Sequence, residues 1–371
     1  MRTLHIHPPL LNSANPWCSS LEQLQELYDT PHTGAVTTRT SLLHGFPHDD
    51  SVHQFTFYNP LTGEALPPNP SSTLAKASET GSLNTLGYSP IPLEEYLGFI
   101  KTISDALPHS ASASRGKLKP FIISVTGTAD EVVECYRMIC SHQRSVSMTL
   151  AMEVNLSCPN IPSKPPPAYD AASLLSYLVA LKREVAHQIE RDVPPIGIKT
   201  PPYTYQGQFQ QLISALLDSA KAEPTHLPCP ISFITATNTL GSSLLLSPML
   251  ETISSHVNQS TSADATQIRE VFHHTLNSAS GTGIGGLAGT PLHPLALGNV
   301  YTIKGMLFQH SELDKIQIIG IGGVENGAGY LRMRAVGAAA VGVGTALGRK
   351  GISVFQEIMN EAQTESSGRT V

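Results

Sequence analysis

One cysteine in this sequence stands where a proton-accepting side chain could be held. Cys158 lies in the segment NLSCPNIPSKPPPAYD, between a predicted strand and a run rich in proline. Prolines restrict the backbone and exclude a helix there, which is typical of a lid loop over a site. A thiol in such a loop can act as a general base if its pKa is lowered or if the lid excludes water. An inert, half-buried thiol is the alternative, and position alone does not decide between them.

A lysine closes the apolar strand predicted over Ile196–Lys199, in the segment IGIKTPPY. Burying a cation costs several kcal/mol unless a negative group lies beside it. We therefore expect an anionic partner for Lys199. An anionic reduced flavin and a structural carboxylate are the two candidates.

Four asparagines offer paired hydrogen-bond donors and acceptors: Asn84, Asn155, Asn160 and Asn238. Gathered in one pocket, they would suit a ring with alternating C=O and N–H groups, such as a pyrimidine. Taken singly, each asparagine is more typical of a turn. The interpretation as a binding site therefore depends on a fold that brings them together.

Short apolar runs that alternate with helical patterns predict the elements that would position these side chains. Helical periodicity is present in Glu131–Ser141, Ala171–Arg191, Gln208–Ala222 and Gly329–Val336. The predicted strands are Ala35–Thr40, Phe121–Thr126, Leu150–Leu156, Ile196–Lys199, Ile231–Thr237, Ile284–Leu287, Ile316–Ile321 and Ala338–Val343. Apolar strands that alternate with helices indicate a parallel sheet covered on both faces, and eight of them predict an α/β fold, the (β/α)8 TIM barrel.

Three shifts in composition predict insertions into a single barrel domain that spans residues 1–371. They lie near 44–81, 108–119 and 247–280. The last of these contains a predicted helix at Ala265–Leu276. Because none of the three repeats internally, we expect excursions from one domain and not separate domains.

Polar side chains and glycines cluster at the predicted carboxyl ends of the strands, where the chemistry of this fold gathers. In chain order these positions are Arg39, Thr126, Asn155 with Cys158, Lys199, Asn238, Gly285–Gly286, Gly322–Gly323 and Gly344–Thr345. Glycine pairs let backbone N–H groups approach an anion, and the loops after the last two strands of such a barrel often bind phosphate. Tight strand-to-helix turns are the alternative interpretation of these glycines.

Composition excludes several classes of protein. Lys and Arg total 23 against 29 Asp and Glu, a net charge of −6 with no basic block, so we expect no nucleic-acid partner. No stretch has the length and apolarity of a membrane span and the first residues lack a secretory signal, so we expect a cytoplasmic protein. Five cysteines are too few for a disulfide framework, and no spacing of cysteine or histidine predicts a metal site.

The most specific motifs resemble one family. They are EVNLSCPNIPSKPPPAYD, IKTPPY, the NTLG strings that begin at Asn84 and Asn238, IGIGGVENGAG and VGVGTAL. These motifs are similar to segments of the class 1 dihydroorotate dehydrogenases, and within that class to the soluble, homodimeric class 1A type. The similarity runs from Pro9 to about Ile358, apart from the insertions.

The resemblance implies an FMN enzyme of pyrimidine biosynthesis that oxidises dihydroorotate to orotate and passes the electrons to fumarate. It implies that Cys158 takes the C5 proton while hydride leaves C6 for flavin N5, and that Lys199 stabilises the negative charge of reduced FMN. The implied substrate site is Arg39, Asn84, Leu86, Gly87, Tyr88, Asn155, Asn160, Asn238 and Thr239. The implied cofactor site is Ser13, Ala14, Arg39, Thr40, Asn155, Lys199, Gly285, Gly286, Gly322, Gly323, Gly344 and Thr345.

Three places depart from the family pattern. Arg39 stands where the family has lysine, and arginine is planar, bulkier and always charged. Asn15 and Pro16 stand where the family has a glycine and a small apolar residue beneath the flavin. His293 stands where the family has a lysine.

Alternatives remain open at this point. One is another flavin barrel enzyme with a different substrate or acceptor, such as a dihydropyrimidine or tRNA dihydrouridine enzyme, although the latter should carry basic patches. Another is a non-catalytic paralogue, with or without flavin. The class 1B arrangement, with an iron–sulfur partner subunit and NAD, is also open, whereas the membrane-bound class 2 enzymes use serine as the base and not cysteine.

Overall fold

Eight parallel strands form the centre of the molecule. The computed structural model describes residues 3–71, 75–108, 118–158, 160, 166–188, 193–254 and 266–368. Its strands are β1 (Leu10–Asn12), β2 (Val36–Thr37), β3 (Phe55–Tyr58), β4 (Gly81–Asn84), β5 (Phe121–Val125), β6 (Leu150–Asn155), β7 (Ile196–Thr200), β8 (Ile231–Ala236), β9 (Leu240–Ser243), β10 (Leu246–Ser254), β11 (Thr266–His274), β12 (Gly285–Gly289), β13 (Gln317–Ile321) and β14 (Ala340–Val343). The parallel sheet has the order β1, β14, β13, β8, β7, β6, β5, β2. A parallel bridge between Leu11 and Ala35 joins its two edges, and the predicted barrel is confirmed.

Helices cover the outside of this sheet and bury its main hydrophobic cluster. They are α1 (Leu21–Asp29), α2 (Leu93–Asp105), α3 (Ala129–Gln143), α4 (Ala171–His187), α5 (Gln206–Lys221), α6 (His293–Phe308), α7 (Gly327–Ala335), α8 (Thr345–Lys350) and α9 (Ser353–Gly368). The four helices predicted from periodicity correspond to α3, α4, α5 and α7, although residues 189–191 of the second lie outside the described residues. Within the described ranges, no helix has the length and apolar character needed to cross a membrane.

One predicted barrel strand is wrong. Ile284–Leu287 overlaps β12, which pairs antiparallel with β4 and β9 and does not enter the barrel. The eighth position belongs to β1, Leu10–Asn12, which pairs in parallel with β14. Three residues after a proline pair are too short to show any hydrophobic period. Only the partner strand, which is more than 300 residues away in sequence, defines β1 as part of the barrel.

A second sheet lies at the carboxyl ends of the barrel strands. Its strand order is β3, β4, β12, β9, and all of its pairs are antiparallel. The first predicted insertion, 44–81, supplies β3 and leads into β4. The insertion therefore helps to build the second sheet, which borders the polar ends of the barrel strands.

The third insertion projects as a hairpin of β10 and β11, with nine residue pairs from Leu246↔His274 to Ser254↔Thr266. The predicted helix at Ala265–Leu276 is therefore wrong. Ile268 and Phe272 are four residues apart, which places them on one face of a helix and equally on one face of a strand. The β-branched residues of this segment favour the strand, and the pairing with β10 stabilises it. Residues 255–265 of this insertion, and 109–117 of the second one, lie outside the described residues.

Candidate active site

A cavity opens where the barrel meets the second sheet. It measures about 1040 Å3, counting the part open to solvent. Among the residues predicted as site residues, the following line it: Ser13, Ala14, Arg39, Thr40, Asn84, Leu86, Gly87, Tyr88, Asn155, Cys158, Asn160, Lys199, Asn238, Thr239, Gly322, Gly323, Gly344 and Thr345. The fold therefore brings together nearly all of the positions that the sequence motifs single out.

Gly285 and Gly286 are the two predicted site residues that do not line the cavity. They are not at a barrel strand end, because β12 lies in the antiparallel sheet, where Gly286 pairs with Asn84. A Cβ on Gly286 would lie 2.1 Å from Thr239 Oγ1, so glycine lets the strands approach closely. Further along β12, Ala288 and Gly289 line the cavity instead. Gly285 and Gly286 therefore lie next to the lining residues of β12 and not among them, and their role in cofactor binding stays a prediction.

Cys158 follows β6 and is half-buried beside Tyr88 and Lys199. Burial raises the pKa of its thiol above the ordinary value, whereas the backbone of Asn160, the charge of Lys199 and the hydroxyl of Tyr88 oppose that rise. The thiol can therefore accept a proton only after it is deprotonated, and its neighbours favour that form. Most of the predicted lid, Pro159 and residues 161–165, lies outside the described residues.

The cavity carries one buried cation, Lys199, and one half-buried cation, Arg39. Lys199 on β7 is 4% exposed, and Arg39 donates from Nη2 to the backbone oxygen of Tyr88 over 3.3 Å. Burial lowers the pKa of the Arg39 guanidinium. No aspartate or glutamate is among the described residues that line the cavity. The site is thus electropositive and suits an anionic ligand.

The four predicted asparagines meet as two hydrogen-bonded pairs. Asn160 Nδ2 donates to Asn84 Oδ1 over 2.9 Å, and Asn238 Nδ2 donates to Asn155 Oδ1 over 3.3 Å. The first pair lies where β4 borders the cavity, and the second lies at the ends of β6 and β8. Amide donors and acceptors therefore face the same cavity from two sides.

Two glycine turns form a bare main-chain surface at the other end of the cavity. Gly323 has a φ of +66°, and a Cβ there would lie 2.6 Å from the backbone oxygen of Gly289. At Gly344 a Cβ would lie 3.0 Å from Ser13 Oγ. A side chain is excluded at Gly323, whereas at Gly344 it would require the Ser13 hydroxyl to move by a few tenths of an ångström. This surface is suited to a group that is bound through backbone N–H groups.

Sequence reasoning missed an aromatic wall and the Thr237 hydroxyl, and it identified Asn15 only as a departure from the family pattern. Trp17 and Phe55 line the cavity with their ring centroids 5.4 Å apart. Thr237 Oγ1 and Asn15 Nδ2 are buried at the cavity without a hydrogen-bond partner among the described residues. The only signal in the sequence for this part of the cavity was that Trp17, the single tryptophan, lies two residues after Asn15, which departs from the family pattern. Phe55 comes from an insertion, and nothing local connects it to the site.

Comparison with known proteins shows what this chain is similar to. A family model described as dihydroorotate dehydrogenase matches residues 249–365. A protein of Streptococcus pyogenes with the provisional name dihydroorotate dehydrogenase A (fumarate) is 25% identical over 360 residues, which cover 96% of this chain and 88% of that protein. This chain is similar to dihydroorotate dehydrogenases over nearly its whole length.

Further comparisons agree with that relationship. A Streptococcus agalactiae dihydroorotate dehydrogenase A (fumarate), also provisionally named, is 26% identical over 352 residues, which cover 95% of this chain and 87% of that protein. The crystal structure of DHODH from Eimeria tenella in complex with ferulenol has the same fold, with a TM-score of 0.67 and 16% identity over 99% of this chain and 84% of that one. The resemblance to dihydroorotate dehydrogenases is confirmed, and with it the prediction of an oxidoreductase of that kind.

The departures from the dihydroorotate dehydrogenase pattern all lie at the cavity or its turns. Arg39, Asn15 and Pro16 line it directly. His293 does not; its Nδ1 is 2.7 Å from the backbone oxygen of Gly322, and its Nε2 accepts from Arg332 Nε over 3.2 Å. Because Nε2 accepts, Nδ1 carries the proton and donates to Gly322. His293 therefore fixes the glycine turn from outside.

The structure contains no group of three or more His, Cys, Asp or Glu side chains placed to hold a metal, as far as the described residues extend. All five cysteines are free thiols. Three of them, Cys18, Cys135 and Cys229, are buried and have pKa values that burial raises. Cys158 differs from these three because it lies at the cavity.

Proposed function

We propose that this protein is an FMN-dependent dehydrogenase that oxidises (S)-dihydroorotate to orotate in pyrimidine biosynthesis, with fumarate as the electron acceptor. The observation that carries the proposal is that Cys158, Lys199 and the two asparagine pairs face one electropositive cavity. Thiol base, cation and amide groups are the parts that such an oxidation of a pyrimidine ring requires. The names of the relatives support the same reaction.

Three features of the cavity fit FMN. The bare main-chain surface at Gly323 and Gly344 suits a phosphate. Lys199 is a buried cation that suits the negative charge of a reduced flavin. The unpartnered Asn15 Nδ2 and Thr237 Oγ1 offer hydrogen bonds to a ring with polar edges. When bound, FMN supplies the hydride acceptor.

The side chains of this chain then perform binding and proton transfer. Oxidation of dihydroorotate removes a proton from C5 and a hydride from C6, so a base must lie beside C5. Cys158, as thiolate, takes that proton, and Lys199 with the Tyr88 hydroxyl stabilises the thiolate beforehand. The asparagine pairs bind the ring amides, and Arg39 is the cation that faces the substrate carboxylate. The aromatic pair of Trp17 and Phe55 excludes water from one side.

The proposal is tested by anaerobic mixing of the purified, FMN-loaded protein with dihydroorotate. We expect the flavin absorbance to bleach and to return when fumarate is added, but not when NAD or a quinone analogue is added. Cys158→Ala should slow the bleaching by orders of magnitude while FMN stays bound, because general-base catalysis typically contributes 10²- to 10⁴-fold. Failure of dihydroorotate to bleach the wild-type flavin would refute dihydroorotate as the substrate. Return of the flavin absorbance only with NAD would refute fumarate as the acceptor.

We also propose that the protein is a single-domain, cytoplasmic homodimer, and that the β10–β11 hairpin contributes to the contact between the two copies. One face of the hairpin carries Leu250, Ile268 and Phe272, which are 74%, 68% and 63% exposed. Isolated two-stranded hairpins are marginally stable, and an apolar face of this kind marks a contact surface. Sedimentation or light scattering of the FMN-loaded protein should give twice the chain mass of 39.6 kDa. A monomer at micromolar concentration would refute this part.

A further inference from the structure

A buried carboxylate lies beneath the floor of the cavity. Glu153 is on β6, two residues before Asn155, and is 2% exposed. Ser124 Oγ donates to Glu153 Oε1 over 3.0 Å, and Thr235 Oγ1 donates to Glu153 Oε2 over 2.6 Å. These donors come from β5 and β8, on either side of β6 and β7. Glu153 therefore receives hydrogen bonds from two strands that it does not belong to.

The hydroxyl of Ser124 continues into a chain that reaches the cavity. Ser124 Oγ lies 2.9 Å from Thr40 Oγ1, and Asn155 Nδ2 donates to Thr40 Oγ1 over 3.0 Å. A carboxylate accepts and does not donate, whereas an amide nitrogen only donates. The protons must therefore point in one direction, from Asn155 to Thr40, from Thr40 to Ser124, and from Ser124 to Glu153.

This direction decides how the amide of Asn155 is turned. With Nδ2 committed to Thr40, Oδ1 faces the opposite way and accepts from the Ser157 hydroxyl over 3.1 Å and from Asn238 Nδ2 over 3.3 Å. A rotated amide would set its oxygen against the acceptor Thr40 Oγ1 at one end and its Nδ2 against the donor Asn238 Nδ2 at the other. The orientation of two cavity asparagines thus depends on a carboxylate that does not touch the cavity.

Glu153 also balances charge. Lys199 on β7 pairs in register with Asn155 on β6 and with Thr235 on β8. It therefore lies between the strand that carries Glu153 and the strand whose Thr235 donates to the Glu153 carboxylate. The described residues that line the cavity include Arg39 and Lys199 but no carboxylate. In the low dielectric of the barrel interior, a buried negative charge one layer below Asn155 would offset the charge of Lys199 on the neighbouring strand.

We infer that Glu153 is a positioning residue of the site: it orients Asn155 and Asn238 through the Thr40–Ser124 relay, and it offsets the charge of Lys199. The inference rests on the proposed function only for the choice of orotate and FMN as probes. Glu153 touches neither in the arrangement described, because it lies beneath Asn155 and does not line the cavity.

Two variants separate the two roles. Ser124→Ala cuts the relay and keeps the charge. Glu153→Gln removes the charge, but its carbonyl oxygen can still accept from Ser124 while its amide turns to Thr235. The matched control is Ser219→Ala, a buried serine on α5 whose hydroxyl bonds to the Leu216 backbone oxygen away from the cavity.

The readouts are the orotate dissociation constant, from perturbation of the flavin spectrum, and the reduction potential of bound FMN, from a dye-coupled titration. We expect Ser124→Ala to weaken orotate binding by about tenfold, the equivalent of one hydrogen bond, with the potential unchanged. We expect Glu153→Gln to move the potential to a more positive value, because a negative charge no longer opposes reduction. Thr40→Val should weaken orotate binding like Ser124→Ala, and the double variant should be no worse than either, because both cut the same relay.

Several outcomes would overturn the inference. If Ser124→Ala and Thr40→Val bind orotate as tightly as Ser219→Ala, the relay does not orient the asparagines. If Glu153→Gln leaves the potential unchanged, the charge role is refuted. A wild-type protein that binds FMN but not orotate would contradict the proposed substrate alone, and the potential of Glu153→Gln would then decide this inference. Should Glu153→Gln fail to fold, orotate binding by Ser124→Ala and Thr40→Val still tests whether the relay orients the asparagines.

Discussion

Asn160 Nδ2 donates to Asn84 Oδ1 over 2.9 Å and also to the backbone oxygen of Leu86 over 2.9 Å. Asn160 lies two residues after Cys158, whereas Asn84 ends β4 of the second sheet. This contact joins the loop that carries the thiol to the sheet that borders the cavity. The thiol is therefore positioned by a residue on the opposite side of the site.

Asn160→Ala tests that contact. Loss of both hydrogen bonds should free the loop, so that orotate binds about 30-fold more weakly, because two hydrogen bonds at about 1 kcal/mol each are together worth about 2 kcal/mol. The Cys158 thiol should react faster with iodoacetamide in the free enzyme. Orotate titration and mass spectrometry of the alkylated protein measure the two effects. An unchanged alkylation rate would mean that the contact does not hold the loop.

The pH dependence of flavin reduction tests Cys158 as the base. Burial raises the pKa of this thiol, so the protonated, inactive form predominates at neutral pH. The rate should increase as pH rises through the thiol pKa and should level off above it. Stopped-flow reduction by dihydroorotate from pH 6 to 10 measures this, and Cys158→Ala should lose the inflection. A rate that falls with rising pH would contradict the assignment.

Tyr88→Phe should shift the same profile. The Tyr88 hydroxyl interacts with the Cys158 thiol and lowers its pKa. Its removal should raise the pKa of Cys158 and move the inflection to higher pH, with less change in the rate at the plateau. Tyr177→Phe is the matched control, since that hydroxyl donates to the Gly127 backbone oxygen outside the cavity. If both variants shift the profile equally, the effect is not due to the phenol at the thiol.

Gly323→Ala tests the main-chain surface. A Cβ at Gly323 would lie 2.6 Å from the Gly289 backbone oxygen, and its φ of +66° strains any other residue. We expect FMN to be lost during purification and stability to fall by about 1–3 kcal/mol. Gly298→Ala in α6 meets nothing within 4 Å and should keep FMN, with stability raised by up to about 1 kcal/mol. Full FMN content in Gly323→Ala would show that the turn does not form the phosphate site.

Phe272→Glu tests the hairpin contact. Phe272 shares one face with Leu250 and Ile268 and is 63% exposed. A charge there should dissociate the dimer and leave FMN bound. Met249→Glu places the same charge on the other face of the hairpin and should leave the dimer intact. If neither variant changes the mass in solution, the hairpin does not form the contact.

The local sequence determined much of this protein. Seven of the eight predicted strands enter the barrel, because continuous apolar runs identify strands that are buried on both faces. All but two of the predicted site residues line one cavity, because the carboxyl ends of parallel strands meet at one end of a barrel. Such inferences need only a short window of sequence and the rule that connects it to the fold.

Other features were decided only by the tertiary structure. β1 is a strand because β14 pairs with it, and β11 is a strand because β10 pairs with it, although its apolar spacing also fits a helix. Phe55 reaches the cavity from an insertion, and Glu153 acts on Asn155 through Ser124 and Thr40 from other strands. The physical reason is that a hydrogen bond across strands depends on distances between residues far apart in sequence, and no local pattern contains those distances.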